Sequence, residues 1–222
     1  MNLKAVIFDM DGVLLNSEPL HLEASCLLLK KLGVNIDCLN VTAGDIGADY
    51  ETMWREFAKR YGIKKDIKSL VREQFQCTYD YFRTLDLREM EGLTDFIKDL
   101  KNNGVMCAVA SASPVKVIEL VLDKLDIAEY IQSFCGAEMV TEQKPSPEIY
   151  SVIVKRLGVD VSKCAVVEDS PIGVKAAKTA GMKCVAFNSA RIPEEKLSQA
   201  DLIINEFAQI SYRKLLEHLK TL

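Results

Sequence analysis

The sequence predicts an α/β protein: a Rossmann-like parallel sheet in a three-layer α/β/α core, with an all-helical segment inserted after the first strand. Three observations carry that expectation. From Gly92 onward, short apolar runs alternate with stretches of helical period. The N-terminal run Ala5–Phe8 reads as one more strand of the same sheet. Between Asn16 and Leu87 only helical patterns occur.

In chain order, Ala5–Phe8 is the first strand. Pro19–Leu32 follows as a helix with Leu20, Leu27, Leu28 and Leu32 on one side, stopping at Gly33. Tyr50–Tyr61 places Met53, Trp54, Phe57 and Tyr61 at helical spacing, with Asp49 as its N-cap, and Ile67–Leu85 is a third helix. Beyond Gly92 the expected strands are Val105–Ala110, Ile131–Cys135, Cys164–Val167 and Lys183–Phe187. All four are apolar enough to be buried on both faces. The helices between them are Leu93–Lys101, Pro114–Leu125, Pro147–Leu157 and Pro171–Ala180. Three of these open on a proline, whose missing N–H costs nothing in a first turn. Glycines 104, 158 and 181 mark helix stops. The expected division is therefore residues 1–15 and 88–222 as the α/β core, with residues 16–87 as the helical insertion.

Composition narrows the field. The 222 residues carry a formal net charge of −4 and no basic block, which excludes a nucleic-acid footprint. No apolar run approaches the roughly twenty residues of a membrane span. Met1–Lys4 precedes only four apolar residues, too few for a signal peptide. Seven cysteines, an odd number, are scattered singly without a CxxC pair. They are expected to be reduced, without structural disulfides, in a cytoplasmic protein.

The polar residues converge on one edge. Asp9 and Asp11 directly follow the first strand, in AVIFDMDGVL. Ser111, in ASAS, follows the second; Lys144, in QKPSP, lies in the loop after the third; Glu168 and Asp169 follow CAVV. Ligands bind beyond the carboxyl ends of strands in open parallel sheets, so these side chains share one site. Four acids and a lysine suit a hard cation with oxygen ligands, which points to Mg²⁺. An aspartate beside such a cation can attack phosphorus, and a second acid two residues on can serve the leaving oxygen and then water. Singly, each residue has a plainer reading. A D-x-D-G turn is often only a solvated turn, Ser111 or Ser113 can cap the next helix, and Glu168-Asp169 can favour a helix N-terminus. Their arrival together at successive strand ends outweighs these readings.

FDMDGVLLNSEPLH, ASAS, KPSP and VVEDSPIGVKAAKTAG, in this order, resemble the four motifs of the haloacid-dehalogenase-like hydrolases, in the branch with a helical cap after the first motif. The resemblance covers nearly the whole chain. It implies Asp9 as nucleophile and Asp11 as general acid/base. Ser111, with Ala112 beside it, and Lys144 would hold the transferring phosphate. Mg²⁺ would be bound by the Asp9 carboxylate, the Asp11 carbonyl and Asp169, with Glu168 in or next to that shell. Asp11 further implies phosphate-ester chemistry, because dehalogenase members carry no acid there. Glu18 and His21, at the start of the first cap helix, are the expected leaving-group contacts.

The leading expectation is a monomeric phosphatase of a small, sugar-like phosphorylated metabolite, its specificity set by the cap. The resemblance also extends to β-phosphoglucomutase. That enzyme grips a second phosphate with basic residues in a short cap loop, whereas the corresponding stretch Val41–Asp49 has no Lys or Arg and two Asp. A phospho-acceptor signalling module is less consistent with a helical lid over the acceptor.

Overall fold

The computed structural model describes residues 2–37, 50–189 and 192–220. Its centre is β1 (Ala5–Phe8), four apolar residues all fully buried. It is flanked on one side by β2 (Met106–Ala110) and β3 (Ile131–Cys135), and on the other by β4 (Cys164–Glu168), β5 (Lys183–Phe187) and β6 (Leu202–Ile204). All neighbours pair in parallel, in the order β3-β2-β1-β4-β5-β6. The chain runs outward from β1 through β2 and β3, then returns to β1's other edge with β4. That reversal opens a crevice above the carboxyl ends of β1 and β4, where ligands of such sheets bind.

The period-two alternation of the strands divides the core. Ala5, Ile7, Ala108, Val166, Cys184 and Ala186 form one cluster with Ile149, Tyr150 and Ile153 of α6 (Glu148–Leu157) and Val174 and Ala177 of α7 (Pro171–Thr179). The alternate residues Phe8 and Phe187 join an aromatic chain with Phe96 of α4 (Leu93–Asn102) and Phe207. Its centroid spacings are 6.1 Å for Phe8–Phe96, 5.8 Å for Phe96–Phe207 and 4.5 Å for Phe187–Phe207. α5 (Val115–Lys124) packs against β3, and α8 (Tyr212–Lys220) against α4.

The chain divides into two compact units, residues 1–16 with 87–222 and residues 17–86. The second is helical: α1 (Glu18–Lys31), α2 (Tyr50–Tyr61) and α3 (Ile67–Thr84). Leu28, Leu29, Met53, Trp54, Phe57, Leu70 and Cys77 form its own core. Asp66 caps α3 by accepting from the Ser69 N–H at 2.8 Å.

Several expectations need correction. β3 is not buried on both faces: Gln132 is exposed and only Cys135 is fully buried, because β3 is the outermost strand. Cys26, buried on α1, is disulfide-bonded, while the other five cysteines of the described residues are free. Single spacing along the chain carries no information about proximity in the fold. Two elements are additional to those expected: β6, only three residues long, and α8, whose Tyr212, Leu215, Leu216 and Leu219 stand at helical spacing. The Asp49 cap lies outside the described residues. No described helix is long and apolar enough to cross a membrane.

Asp201 ties the far edge of the sheet together. It accepts from Lys178 of α7 at 2.6 Å, from Lys183 of β5 at 3.3 Å and from the Cys184 N–H at 2.7 Å. Burial works against its ionisation, but the Lys178 and Cys184 hydrogen bonds prevail and hold the carboxyl below its ordinary value. Its stabilisation is therefore complete above the ordinary carboxylate pKa and is lost as pH falls from there through the lower value of the folded protein. Asp201→Asn should cost on the order of 2 kcal/mol at neutral pH, measured by thermal or urea unfolding. The gap to wild type should close at low pH, where a protonated aspartate resembles asparagine.

Candidate active site

The β1–β4 pairing continues one residue past β1: the Asp9 N–H donates to the Val167 carbonyl at 2.9 Å, fixing Asp9 at the mouth of the crevice. The chain then turns back, with the N–H groups of Val13 and Leu14 on the Met10 carbonyl. Gly12 makes this turn possible twice over. Its φ of +80° lies in the left-handed region, and a Cβ there would stand 1.9 Å from Asp169 Oδ2. The glycine after D-x-D is what lets Asp169 reach the first loop.

Lys144 is the hub. Its side chain is 7% exposed, and Nζ donates to Asp9 Oδ1 at 2.5 Å, Glu168 Oε1 at 2.7 Å and the Ala110 carbonyl at 3.2 Å. Those bonds use all three ammonium protons. Glu168 is equally committed. Its Oε1 also accepts from the Tyr150 hydroxyl at 3.2 Å, and its Oε2 from the Ser170 N–H and hydroxyl, each at 3.0 Å. Ser170 Oγ in turn accepts from the Gly173 N–H and caps α7. A Cβ on Gly173 would sit 1.7 Å from Glu168 Oε1, so this close approach also requires glycine.

Asp11 is held from β2's end. Ser111 Oγ and Ser113 Oγ both donate to Asp11 Oδ2 at 3.1 Å, and the Ser113 N–H donates to Ser111 Oγ at 3.0 Å. Ala112 between them is exposed.

Burial pushes the Asp9 carboxyl up to about 8, with Glu168 and Asp11 adding to the rise and Lys144 opposing it. Asp169 is pushed up to about 9, again by burial first and then by Glu168 and Asp9. Burial would lower Lys144, but Asp9 and Glu168 prevail and raise it well above its ordinary value, so it stays charged. Four acids thus share one buried cation. Among the described residues no three or more His, Cys, Asp or Glu side chains form a metal cage. The donor chemistry is that of two raised carboxyls, Asp9 and Asp169, beside loop carbonyl oxygens. This suits a hard cation that keeps several of its waters.

The fold therefore brings Asp9, Asp11, Ser111, Lys144, Glu168 and Asp169 to one edge of the sheet unit. Glu18 and His21 belong to the helical unit. Glu18 is exposed in the first turn of α1. His21 is 7% exposed, its Nδ1 lies 2.8 Å from the Tyr50 hydroxyl, and its ring is 5.2 Å from that of Phe82. Sequence reasoning missed Tyr150, Ser170, Gly173 and the Ser113 contact. SPIGV carries a serine cap signal, whereas Tyr150 sits in an apolar helical stripe and reads only as core.

An acid pair after the central strand, a buried lysine and a serine loop on this sheet define a class of hydrolytic enzyme. The sequence model of the haloacid dehalogenase-like hydrolases matches residues 6–187. The chain belongs to that family. Hexitol phosphatase B of Escherichia coli K12 is 28% identical over 218 residues, covering 96% of each chain. A phosphorylated carbohydrates phosphatase of Thermotoga maritima is 30% identical over 82% of this chain and 83% of its own. The crystal structure of CbbY from Rhodobacter sphaeroides in complex with phosphate superposes with a TM-score of 0.82 at 25% identity, covering 93% of this chain and 96% of that one.

Gly12→Ala should lower stability by about 1–2 kcal/mol from the left-handed backbone alone. It should also displace Asp169, abolishing activity in protein that still folds by circular dichroism. A fully active Gly12→Ala would mean the Asp169 approach is dispensable.

Proposed function

We propose that this protein is a Mg²⁺-dependent phosphatase acting on a small, sugar-like phosphate ester through an aspartyl-phosphate intermediate. The observation that carries the reading is the juxtaposition at the end of β1. Asp9 is held by the Lys144 ammonium, with Asp11 two residues on and held by serine hydroxyls.

Ser111 Oγ and the backbone beside Ala112 bind and orient the phosphoryl oxygens, and Lys144 Nζ turns one of its three protons from a protein acceptor to a phosphoryl oxygen. An Asp9 carboxylate oxygen attacks phosphorus. The bond to the ester oxygen breaks with its electron pair on that oxygen, and protonated Asp11 supplies the proton that makes it an alcohol. Asp11, now a carboxylate, takes a proton from water as the water oxygen attacks the phospho-aspartate. The acyl phosphate P–O bond breaks, phosphate leaves and the Asp9 carboxylate returns. Asp9, the Asp11 carbonyl and Asp169 would hold Mg²⁺, which when bound offsets negative charge on the phosphoryl group. Both oxygens of Glu168 are committed to Lys144, Tyr150 and Ser170, which favours a role orienting Lys144 over one as a metal ligand.

The names of the relatives support the substrate class, because both curated phosphatases act on phosphorylated carbohydrates or hexitols by their descriptions. We assign the helical unit, with Glu18 and His21, to reading the leaving group. β-Phosphoglucomutase activity is the alternative outcome. The stretch Val41–Asp49 that bears on it lies outside the described residues, and its lack of Lys and Arg favours hydrolysis.

Phosphate release with Mg²⁺ over a panel of sugar and hexitol phosphates is the direct test. β-Glucose 1-phosphate with a trace of the 1,6-bisphosphate should be followed in parallel for glucose 6-phosphate. Release from one or a few esters is expected; glucose 6-phosphate formation without release would mean a mutase. Asp9→Asn should lower turnover by several orders of magnitude while the circular dichroism spectrum stays native.

Mg²⁺ should raise the melting temperature of the metal-free protein, because it offsets crowded buried carboxylates. Asp169→Asn removes a carboxyl that burial keeps from ionising in the folded protein, whereas in the unfolded chain it ionises freely. The variant should melt higher than wild type without metal and lose most of the response to Mg²⁺.

A further inference from the structure

The Ser111–Ser113 loop contains more than a phosphate ligand. Ser113 is 4% exposed and fixed on both sides of its backbone: its N–H donates to Ser111 Oγ, and its carbonyl accepts from the Ala137 N–H at 3.0 Å. The close passage of Gly136 preserves that anchor, since a Cβ there would stand 2.9 Å from the Ser113 carbonyl oxygen. Capping does not account for the side chain. α5 is preceded by Pro114 without any side-chain cap, and Ser113 Oγ donates to Asp11 Oδ2 instead.

A hydroxyl has one proton to donate. Ser111 Oγ accepts from the Ser113 N–H and spends its proton on Asp11 Oδ2. If Ser111 donates to a phosphoryl oxygen, as the phosphatase reading requires, it must release Asp11. Ser113 faces no such demand. Its hydroxyl remains on Asp11 Oδ2 when the phosphate arrives.

Resting on that reading, we propose that Ser113 is the positioning residue for Asp11. When substrate draws the Ser111 hydroxyl away, the Ser113 hydroxyl keeps its hold on Asp11 Oδ2. With Oδ2 anchored, the other oxygen of Asp11 is the one that delivers the proton to the ester oxygen as the P–O bond breaks, and later takes one from water. The effect is one of orientation: Ser113 touches neither the phosphoryl group nor the leaving group.

The requirement for a proton distinguishes this role from a structural one. An alkoxide needs protonation as it leaves; a 4-nitrophenolate does not. Ser113→Ala should therefore lower kcat/KM for the best sugar phosphate roughly tenfold or more, the order expected for one hydrogen bond to a carboxylate. With 4-nitrophenyl phosphate, kcat/KM should change by less than about threefold. KM for the sugar ester should hold, and Ser113→Thr, which keeps the hydroxyl, should recover most of the loss. Ser113→Cys, of similar volume but a weak donor, should behave like alanine and serves if the alanine variant fails to fold.

Unchanged turnover of the sugar ester in Ser113→Ala overturns the proposal. So does a threonine variant as impaired as alanine, or an equal loss with both esters. A wild type that hydrolyses neither ester would instead defeat the phosphatase reading itself, and this proposal with it.

Discussion

The Lys144 ammonium is the constraint on which the site depends. A buried cation without partners is far too costly to persist, and this one has three acceptors arriving from different parts of the sheet: Asp9 after β1, the Ala110 carbonyl ending β2 and Glu168 ending β4. Lys144 itself comes from the loop after β3. The strand order is what permits this meeting, because β2, β1 and β4 are neighbours and end together. Removing any one acceptor would leave one proton of the buried ammonium without its partner. The four segments are thus energetically joined even though their sequences are far apart.

Close approach is the second requirement, and here the absence of side chains matters as much as their presence. Asp169 can lean on the first loop only because Gly12 has no Cβ. Glu168 can lie against the start of α7 only because Gly173 has none. Ser170 then joins capping to chemistry: its hydroxyl donates to Glu168 and accepts from the Gly173 N–H. A residue whose local task is to start a helix thereby also holds the acid that orients Lys144.

This division explains what the sequence could and could not convey. The parallel sheet and its carboxyl-end residues were legible because apolar runs, helix signals and polar residues recur in register along the chain. Asp9, Asp11, Ser111, Lys144 and Asp169 stand directly after a strand or in the loop beyond one, and Glu168 is the last residue of β4. Tyr150 was not legible. Its hydroxyl reaches Glu168 from the first turn of α6, but the residue falls in the apolar stripe with Ile149 and Ile153, so its helical period reports only burial. The exposure of β3 depends on its place at the margin of the sheet, which is not a local property. By sequence Ser113 reads as a helix cap, since a serine is a common residue just before a helix; only the fold shows its proton spent on Asp11.

Under the proposed mechanism, the same carboxylates set activity against stability. Asp9, Asp11, Glu168 and Asp169 surround a single ammonium, and burial together with their mutual repulsion lifts Asp9 to about 8 and Asp169 to about 9. A nucleophilic carboxylate must nevertheless be ionised. A phosphate ester brings further negative charge into this crevice, so Lys144 alone cannot balance both the nucleophile and the substrate. A divalent cation would resolve both difficulties, restoring the ionised form of Asp9 and admitting the phosphoryl group. Asp11 has a different task, since it must carry a proton first and lose it later. It is held by neutral serine hydroxyls, whereas Asp9 is held by the ammonium. A full positive charge would pin Asp11 as a carboxylate, while a hydroxyl can accompany it through both protonation states. The two aspartates differ in chemistry because one neighbour is a lysine and the other a serine.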